Sequence, residues 1–246
     1  TGTDIDSLDF FTVEGAPDDV VSLYVDHLEA WFFGEWLTEV YAPTTSTDNP
    51  YQRIQGAVIE QGCAAAFSVA KLDNSLFWLG KNKEGEGIVY RANGYTPLPI
   101  STRAIEYAIA QWPTLADARA YSYVQEGHGF YVLTSPADGV DWPGETWAYD
   151  VTTGWWHQRA YLDPDTGVLQ GERRTCHVVF NGQHLAGYDG TGLTNTGRLL
   201  SLSLDVADDN GDAQKWLRSW RALPAAQNEL QRSFQHQLQI DGQTGT

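Results

Sequence analysis

Residues 146–157 read T-W-A-Y-D-V-T-T-G-W-W-H. From Trp147 to Asp150 an aromatic residue alternates with a small or polar one, the period-2 signature of a half-buried strand. Thr152, Thr153 and Gly154 break that pattern, and Trp155 opens a second strand beyond a tight turn. The stretch is a β-hairpin with aromatic side chains on both arms. If it belongs to a repeat architecture, related hairpins recur at a fixed period.

They do. A tyrosine-aspartate, a short polar turn, a glycine and a tryptophan look like the last hairpin of a kelch-type blade, and the same strand order is legible four times. The first copy runs Val20 to Val25, a turn at Asp26-His27, Ala30 to Gly34, Thr38 to Tyr41, a loop from Pro43 to Pro50, and Tyr51 to Ile54. The second runs Ser68 to Leu72, Asp73-Asn74, Leu76 to Gly80, a charged loop, Ile88 to Ala92, Asn93-Gly94, and Tyr95 to Ile100. The third runs Ala120 to Val124, Glu126-Gly127, Phe130 to Thr134 and a long loop through Trp142 into the opening hairpin. The fourth runs Cys176 to Phe180, Asn181-Gly182, His184 to Gly187, Arg198 to Leu204 and an acidic turn at Asp208 to Asp212.

First-strand ends at Val25, Leu72, Val124 and Phe180 lie 47, 52 and 56 residues apart, the period of propeller blades lengthened by loops. The expected fold is all-β: a β-propeller of four-stranded antiparallel blades, about four to five blades or a partial ring. Blades are expected at about 20–56, 57–101, 114–160 and 172–215, after an acidic lead-in at 1–19. A tail at 224–246 alternates as Phe234, His236, Leu238 and Ile240, which suits a closing strand. One short helix interrupts the pattern from Thr102 to Trp112, with Ser101 as its N-cap and Ile105, Ala108, Ile109 and Trp112 on one face.

Fifteen Lys and Arg against 32 Asp and Glu leave a formal charge of −17 over 246 residues. A surface this acidic repels phosphate, which excludes direct binding to a nucleic-acid backbone or an anionic membrane. No run of 18 apolar residues and no signal-like amino terminus is present. Cys63 and Cys176 are too few for a disulfide framework and read as two buried free thiols. No methionine occurs, and the opening T-G-T points to a fragment, a processed product or a tagged chain.

The abundant carboxylates raise the question of a glycosidase, whose acid and nucleophile are a facing carboxylate pair. Here they sit mostly in turns, such as Asp18-Asp19 and Asp163-Pro164-Asp165, where solvation explains them. V-A-D-D-N-G-D (206–212) fails as an EF-hand, because the glycine register would place Val206 and Leu217 where carboxylates are required. His27, His128, His157, His177, His184 and His236 show no zinc spacing, no serine sits in a G-x-S-x-G elbow, and E-G-E-G (84–87) is no phosphate cradle. No catalytic residue, metal ligand or cofactor is expected. Among tryptophans at loops or strand ends, which also include Trp216 and Trp220, we select Trp36, Trp142, Trp155 and Trp156 as candidate interface residues.

Five longer runs are more specific: V-E-G-A-P-D-D-V-V-S-L-Y-V-D-H (13–27), Y-Q-R-I-Q-G-A-V-I-E-Q-G-C-A-A (51–65), S-V-A-K-L-D-N-S-L-F-W-L-G (68–80), G-I-V-Y-R-A-N-G-Y-T-P-L-P-I-S-T-R-A-I-E-Y-A-I (87–109) and Y-S-Y-V-Q-E-G-H-G-F-Y-V-L-T (121–134). Here the chain resembles the packaged-DNA stabilisation, or tail-hub, proteins of short-tailed bacteriophages, closely through about residues 10 to 160. The resemblance implies a β-propeller subunit of a homo-hexameric ring in the virion tail, made in the bacterial host cytoplasm. Its implied partners are the portal and adaptor above and the tail needle and tailspikes below, with the packaged DNA retained by plugging the channel. The loop S-P-A-D-G-V-D-W-P-G-E (135–145) and the region after Leu169 depart from the family pattern. Two other readings compete: a carbohydrate-binding or glycoside-cleaving propeller, and a scaffold fragment or redesigned domain.

Overall fold

The first hairpin in each of four sheets closes on two residues at positive φ, the type I′ geometry whose twist matches that of paired strands. The computed structural model describes residues 17–46, 50–138, 141–163, 165–188, 197–206, 208–209 and 211–213. β1 (Val20–Asp26) and β2 (Glu29–Gly34) meet through His27 and Leu28, at φ 49° and 67°. Sequence reading places this turn one residue earlier, because leucine is no turn former. Leu28 is 81% exposed, so no packing compensates its left-handed backbone, which costs a non-glycine residue about 1–2 kcal/mol. Leu28→Gly is expected to raise stability by about 1 kcal/mol, read from the urea midpoint at unchanged slope.

The first sheet continues with β3 (Thr38–Pro43) and β4 (Tyr51–Ile59) in the order β1-β2-β3-β4. β4 is longer than the expected strand; Gly56, at φ 84°, lets it bend and carry on. The Asp18 carboxylate ties the β2–β3 connection by accepting the backbone N–H groups of Glu35, Trp36 and Leu37 at 3.1, 2.9 and 2.9 Å.

In the second sheet β5 (Gly62–Cys63) and β6 (Ala70–Leu72) share one edge of β7 (Ser75–Asn82), followed by β8 (Gly85–Asn93) and β9 (Thr96–Pro99). Asp73 and Asn74 form its turn at φ 49° and 55°. Ser68 is not in the strand: its buried hydroxyl accepts the Leu79 N–H at 3.1 Å and donates to Ala65 O at 2.8 Å. The helix α1 spans Arg103–Ile109, shorter than expected, with Thr102 as an N-cap that makes no side-chain bond. The Ser101 hydroxyl instead accepts the Val89 N–H at 3.2 Å.

The third sheet has five strands, β10 (Arg119–Gln125), β11 (His128–Ser135), β12 (Glu145–Asp150), β13 (Trp155–Leu162) and β14 (Leu169–Gly171). The opening hairpin is β12–β13, with Asp150 opposite Trp155. β14 takes chain that the sequence reading leaves between blades. The fourth sheet is β15 (Arg174–Phe180), β16 (Gln183–Tyr188) and β17 (Arg198–Leu202). Its turn, Asn181-Gly182, sits at φ 50° and 74°, and Glu126-Gly127 closes the third sheet's hairpin at 49° and 82°.

First strands of neighbouring sheets lie side by side. Ser22 donates to Ala66 O at 2.9 Å, Ala120 N–H to Phe67 O at 2.8 Å and Ser122 to Lys71 O at 2.6 Å, and Phe67 bridges Arg119 in parallel. Antiparallel sheets radiating from parallel inner strands are a β-propeller arrangement, with four blades among the described residues.

Cores form between blades, which explains β7. Leu76 and Trp78 point into the cluster shared with the first blade, alongside Phe33, Val40 and Ile59; Phe77 and Leu79 point into the cluster shared with the third, alongside Tyr131 and Leu133. A strand covered on both faces is apolar throughout rather than alternating. The helix contributes Ile105 and Ile109 to the second cluster. Among the described residues the first and fourth blades have no such double cover: Leu23 and Val25 on β1, and Val178 and Phe180 on β15, are exposed. Cys63 is buried as expected, but Cys176 is exposed on β15, contrary to the expected pair of buried thiols.

A second compact unit, Ser203–Thr246, is described only near its start, where β18 (Asp208–Asp209) pairs with β19 (Asp212–Ala213) across Gly211. The acidic lead-in before Pro17, Trp216, Trp220 and the expected closing strand at 224–246 lie outside the described residues.

Candidate functional site

The alignment of inner strands gives the propeller two distinct ends. All four first-hairpin turns lie at one end, where His27 Nε2 meets Asn74 Oδ1 at 2.9 Å from one blade to the next. The β2–β3 and β11–β12 connections lie at the other end. The four candidate tryptophans are therefore divided: Trp155 and Trp156 at the turn end, Trp36 and Trp142 at the opposite end. They do not form one patch.

Three of the four are also engaged internally. Trp156 donates its indole N–H to Ile100 O at 2.8 Å and packs against Tyr149; Trp142 donates to Ser135 Oγ at 3.0 Å; Trp36 lies under Lys81, whose Nζ is 4.7 Å from the ring centroid. Trp155 alone stands out, at 76% exposure. Period-2 alternation makes this difference: adjacent residues at the start of β13 face opposite sides, so the paired tryptophans cannot share a role.

Several carboxylates are not in solvated turns. Asp26, Glu39, Asp150 and Glu172 are buried, each with a partner. Asp26 bonds Lys71 and His27; Glu39 accepts the Tyr41 hydroxyl at 3.0 Å; Asp150 bonds His128 Nδ1 at 2.8 Å and accepts the Thr152 N–H and Thr153 hydroxyl at 2.9 Å. Burial pushes the Asp150 carboxyl up, but the His128, Thr153 and Thr152 bonds outweigh it and hold it below the ordinary range. Asp26 behaves alike, through Lys71 and His27. Such ionised, fully bonded carboxylates lock hairpins and have no proton to donate as a general acid. Among the described residues no group of three or more His, Cys, Asp or Glu is placed to hold a metal ion, and no helix is long and apolar enough to cross a membrane.

The most chemically populated region is the seam between the third and fourth blades, which sequence spacing does not reveal. His177 Nε2 and His184 Nδ1 are 3.0 Å apart, stacked against Tyr121 and Tyr123, while Arg159 lies over Tyr123 and Phe130 and contacts His157. Beneath them Glu172 accepts the Tyr121 hydroxyl at 3.0 Å and pairs with Arg174. Burial, then the neighbouring His184, hold the His177 imidazole below its ordinary value, with the Ser122 backbone bond pulling weakly the other way. Burial followed by Arg159 also lowers His157.

An N–H···N bond needs a neutral acceptor, so the histidine pair accommodates one proton but not two. Because the folded His177 value lies below the unfolded one of about 6.5, the unfolded chain binds more protons between the two values. Stability is therefore full above about pH 6.5 and declines as pH falls below it towards the folded value. Urea midpoints measured from pH 7.5 to 5.5 are expected to fall, and His177→Gln to flatten that slope. The Asp26 and Asp150 carboxylates titrate in a separate, more acidic window.

The phage stabilisation family described as "Bacteriophage P22 Gp10, beta-propeller" matches residues 2–199 of this chain. No curated protein matches it. Among solved structures, "A mutant of Trypanosoma rangeli sialidase displaying trans-sialidase activity" is similar with a TM-score of 0.31 and 11% identity over 70% of this chain. The chain spans only 28% of that protein. The family match covers the first three blades and the fourth as far as the start of β17, and the chain belongs to this bacteriophage DNA-stabilisation family of β-propellers.

Proposed function

We propose that the chain is a structural subunit of the phage tail hub, a homo-hexameric ring below the portal and adaptor that plugs the channel, retains the packaged DNA and anchors needle or tailspikes. The family match over residues 2–199 carries this reading. The protein does no chemistry in this role; its blades present surfaces to neighbours. The formal charge of −17 supports it, since a channel wall that repels DNA lets the genome pass without adhering. Exposed Leu23 and Val25 on the first blade, Val178 and Phe180 on the fourth, and Trp155 at the turn end are apolar surfaces available for assembly.

Electron microscopy of the chain mixed with portal and adaptor proteins tests the proposal. A ring docked beneath the portal is the expected result, and a chain that stays a free monomer overturns it. DNA binding at moderate salt is expected to be weak; tight, salt-sensitive binding would contradict a repelling channel wall.

A further inference from the structure

We infer that the cleft between the third and fourth blades takes up a carboxylate side chain presented by another protein chain. The inference rests on reading this chain as an assembling subunit, and it names the chemistry of one docking contact. The cleft lies at the end away from the first-hairpin turns, where β14 hands over to β15, and its lining includes Arg119, Thr134, Pro143, Gln170, Arg173 and Arg174. A chain with only 15 Lys and Arg against 32 acidic residues thus places three arginines around one opening.

Their charges are only partly neutralised. Arg174 pairs with Glu172. Arg119, at the exposed start of β10, makes no ion pair among the described residues. Arg173 spends its guanidinium on neutral groups: the Tyr161 ring at 3.9 Å, Gln170 Oε1 at 3.0 Å and the Tyr188 hydroxyl at 3.3 Å. Asp163, half-buried and accepting the Gln170 side-chain amide at 3.1 Å, feels Arg173 only as the weakest of its influences. Planar guanidinia match a carboxylate through paired N–H donors.

Size and the remaining valence narrow the occupant. The cleft offers about 60 Å³, a volume that admits one small anionic head group whose remainder stays outside. Glu172 Oε2 is buried in the same lining with no donor. A polyphosphate backbone is disfavoured by the net charge, while a single side chain on a mobile loop can reach a local positive cleft.

The test uses hexaglutamate as probe, with hexaglutamine and inorganic phosphate beside it, read through the arginine Nε–H signals in NMR spectra. Hexaglutamate is expected to shift the Arg119 and Arg173 signals, and Arg119→Gln and Arg173→Gln each to weaken it about tenfold. Arg119 is exposed, so that variant keeps its fold, checked by circular dichroism. Hexaglutamine acting equally, insensitivity to both substitutions, or no shift overturns the inference. Phosphate binding as tightly also overturns it, by making the cleft a small-anion site. Docking under the portal without peptide binding sinks this inference alone; peptide binding without docking sinks only the tail-hub role.

Discussion

Trp78→Ala is expected to lower stability by about 3–5 kcal/mol, the range for emptying an aromatic core site. Trp78 has no exposed surface and sits 5.4 Å from the Phe33 ring and 5.8 Å from the Tyr90 ring. Its indole N–H also donates to Gly62 O at 3.1 Å, so one side chain fastens β7 both to the first blade and to its own edge strand. A loss of this size is a large fraction of a typical 5–15 kcal/mol total. The denaturant midpoint of the variant checks it, with Trp78→Phe as comparison. Phenylalanine keeps much of the packing and forfeits the bond, so it is expected to cost about 1–3 kcal/mol. If both variants unfold at the wild-type midpoint, the first two blades do not share a core.

Glu172→Ala is the second large effect, at about 3–5 kcal/mol, because it removes the buried carboxylate that both Arg174 and the Tyr121 hydroxyl engage. Glu172 is 4% exposed, Arg174 has 19% of its side chain exposed, and the Tyr121 hydroxyl depends on the same carboxylate. The Glu172 backbone N–H, bonded to Thr146 Oγ1 at 2.8 Å, survives the change. The loss therefore reports the charge and not the chain path. A double-mutant cycle of Glu172→Ala with Arg174→Ala is expected to show coupling well above 0.5 kcal/mol. Additive losses would mean that the two side chains act separately and that the blade seam is held by the aromatic stack alone.

The repeat was legible because turn chemistry is local. Asp73-Asn74, Asn181-Gly182 and the glycine of Glu126-Gly127 tolerate positive φ, and each pair marks a first hairpin. Leu28 hid the same turn, since nothing in a leucine announces a left-handed backbone. The five-stranded third blade was not legible either: L-Q-G is too short to carry a pattern, and β14 exists because β13 offers it an edge.

The candidate interface fared differently. Trp36, Trp142, Trp155 and Trp156 share only a location near strand ends, and which of them faces solvent depends on what each indole finds in the fold. The histidine pair and the arginine cleft left no mark in sequence spacing. His177 and His184 lie on facing strands, and Arg119 is more than fifty residues from Arg173 and Arg174.

Sequence by itself determined the strand order, three of the four first-hairpin turns, the acidic charge and the family, because period-2 alternation, turn propensity and long residue runs act over neighbouring positions. The tertiary structure alone decided which face of each strand is covered, that the Asp26 and Asp150 carboxylates lock hairpins, and that three arginines meet at one seam. Those outcomes depend on contacts between blades about fifty residues apart, where burial and Coulomb interactions are set by distance in space.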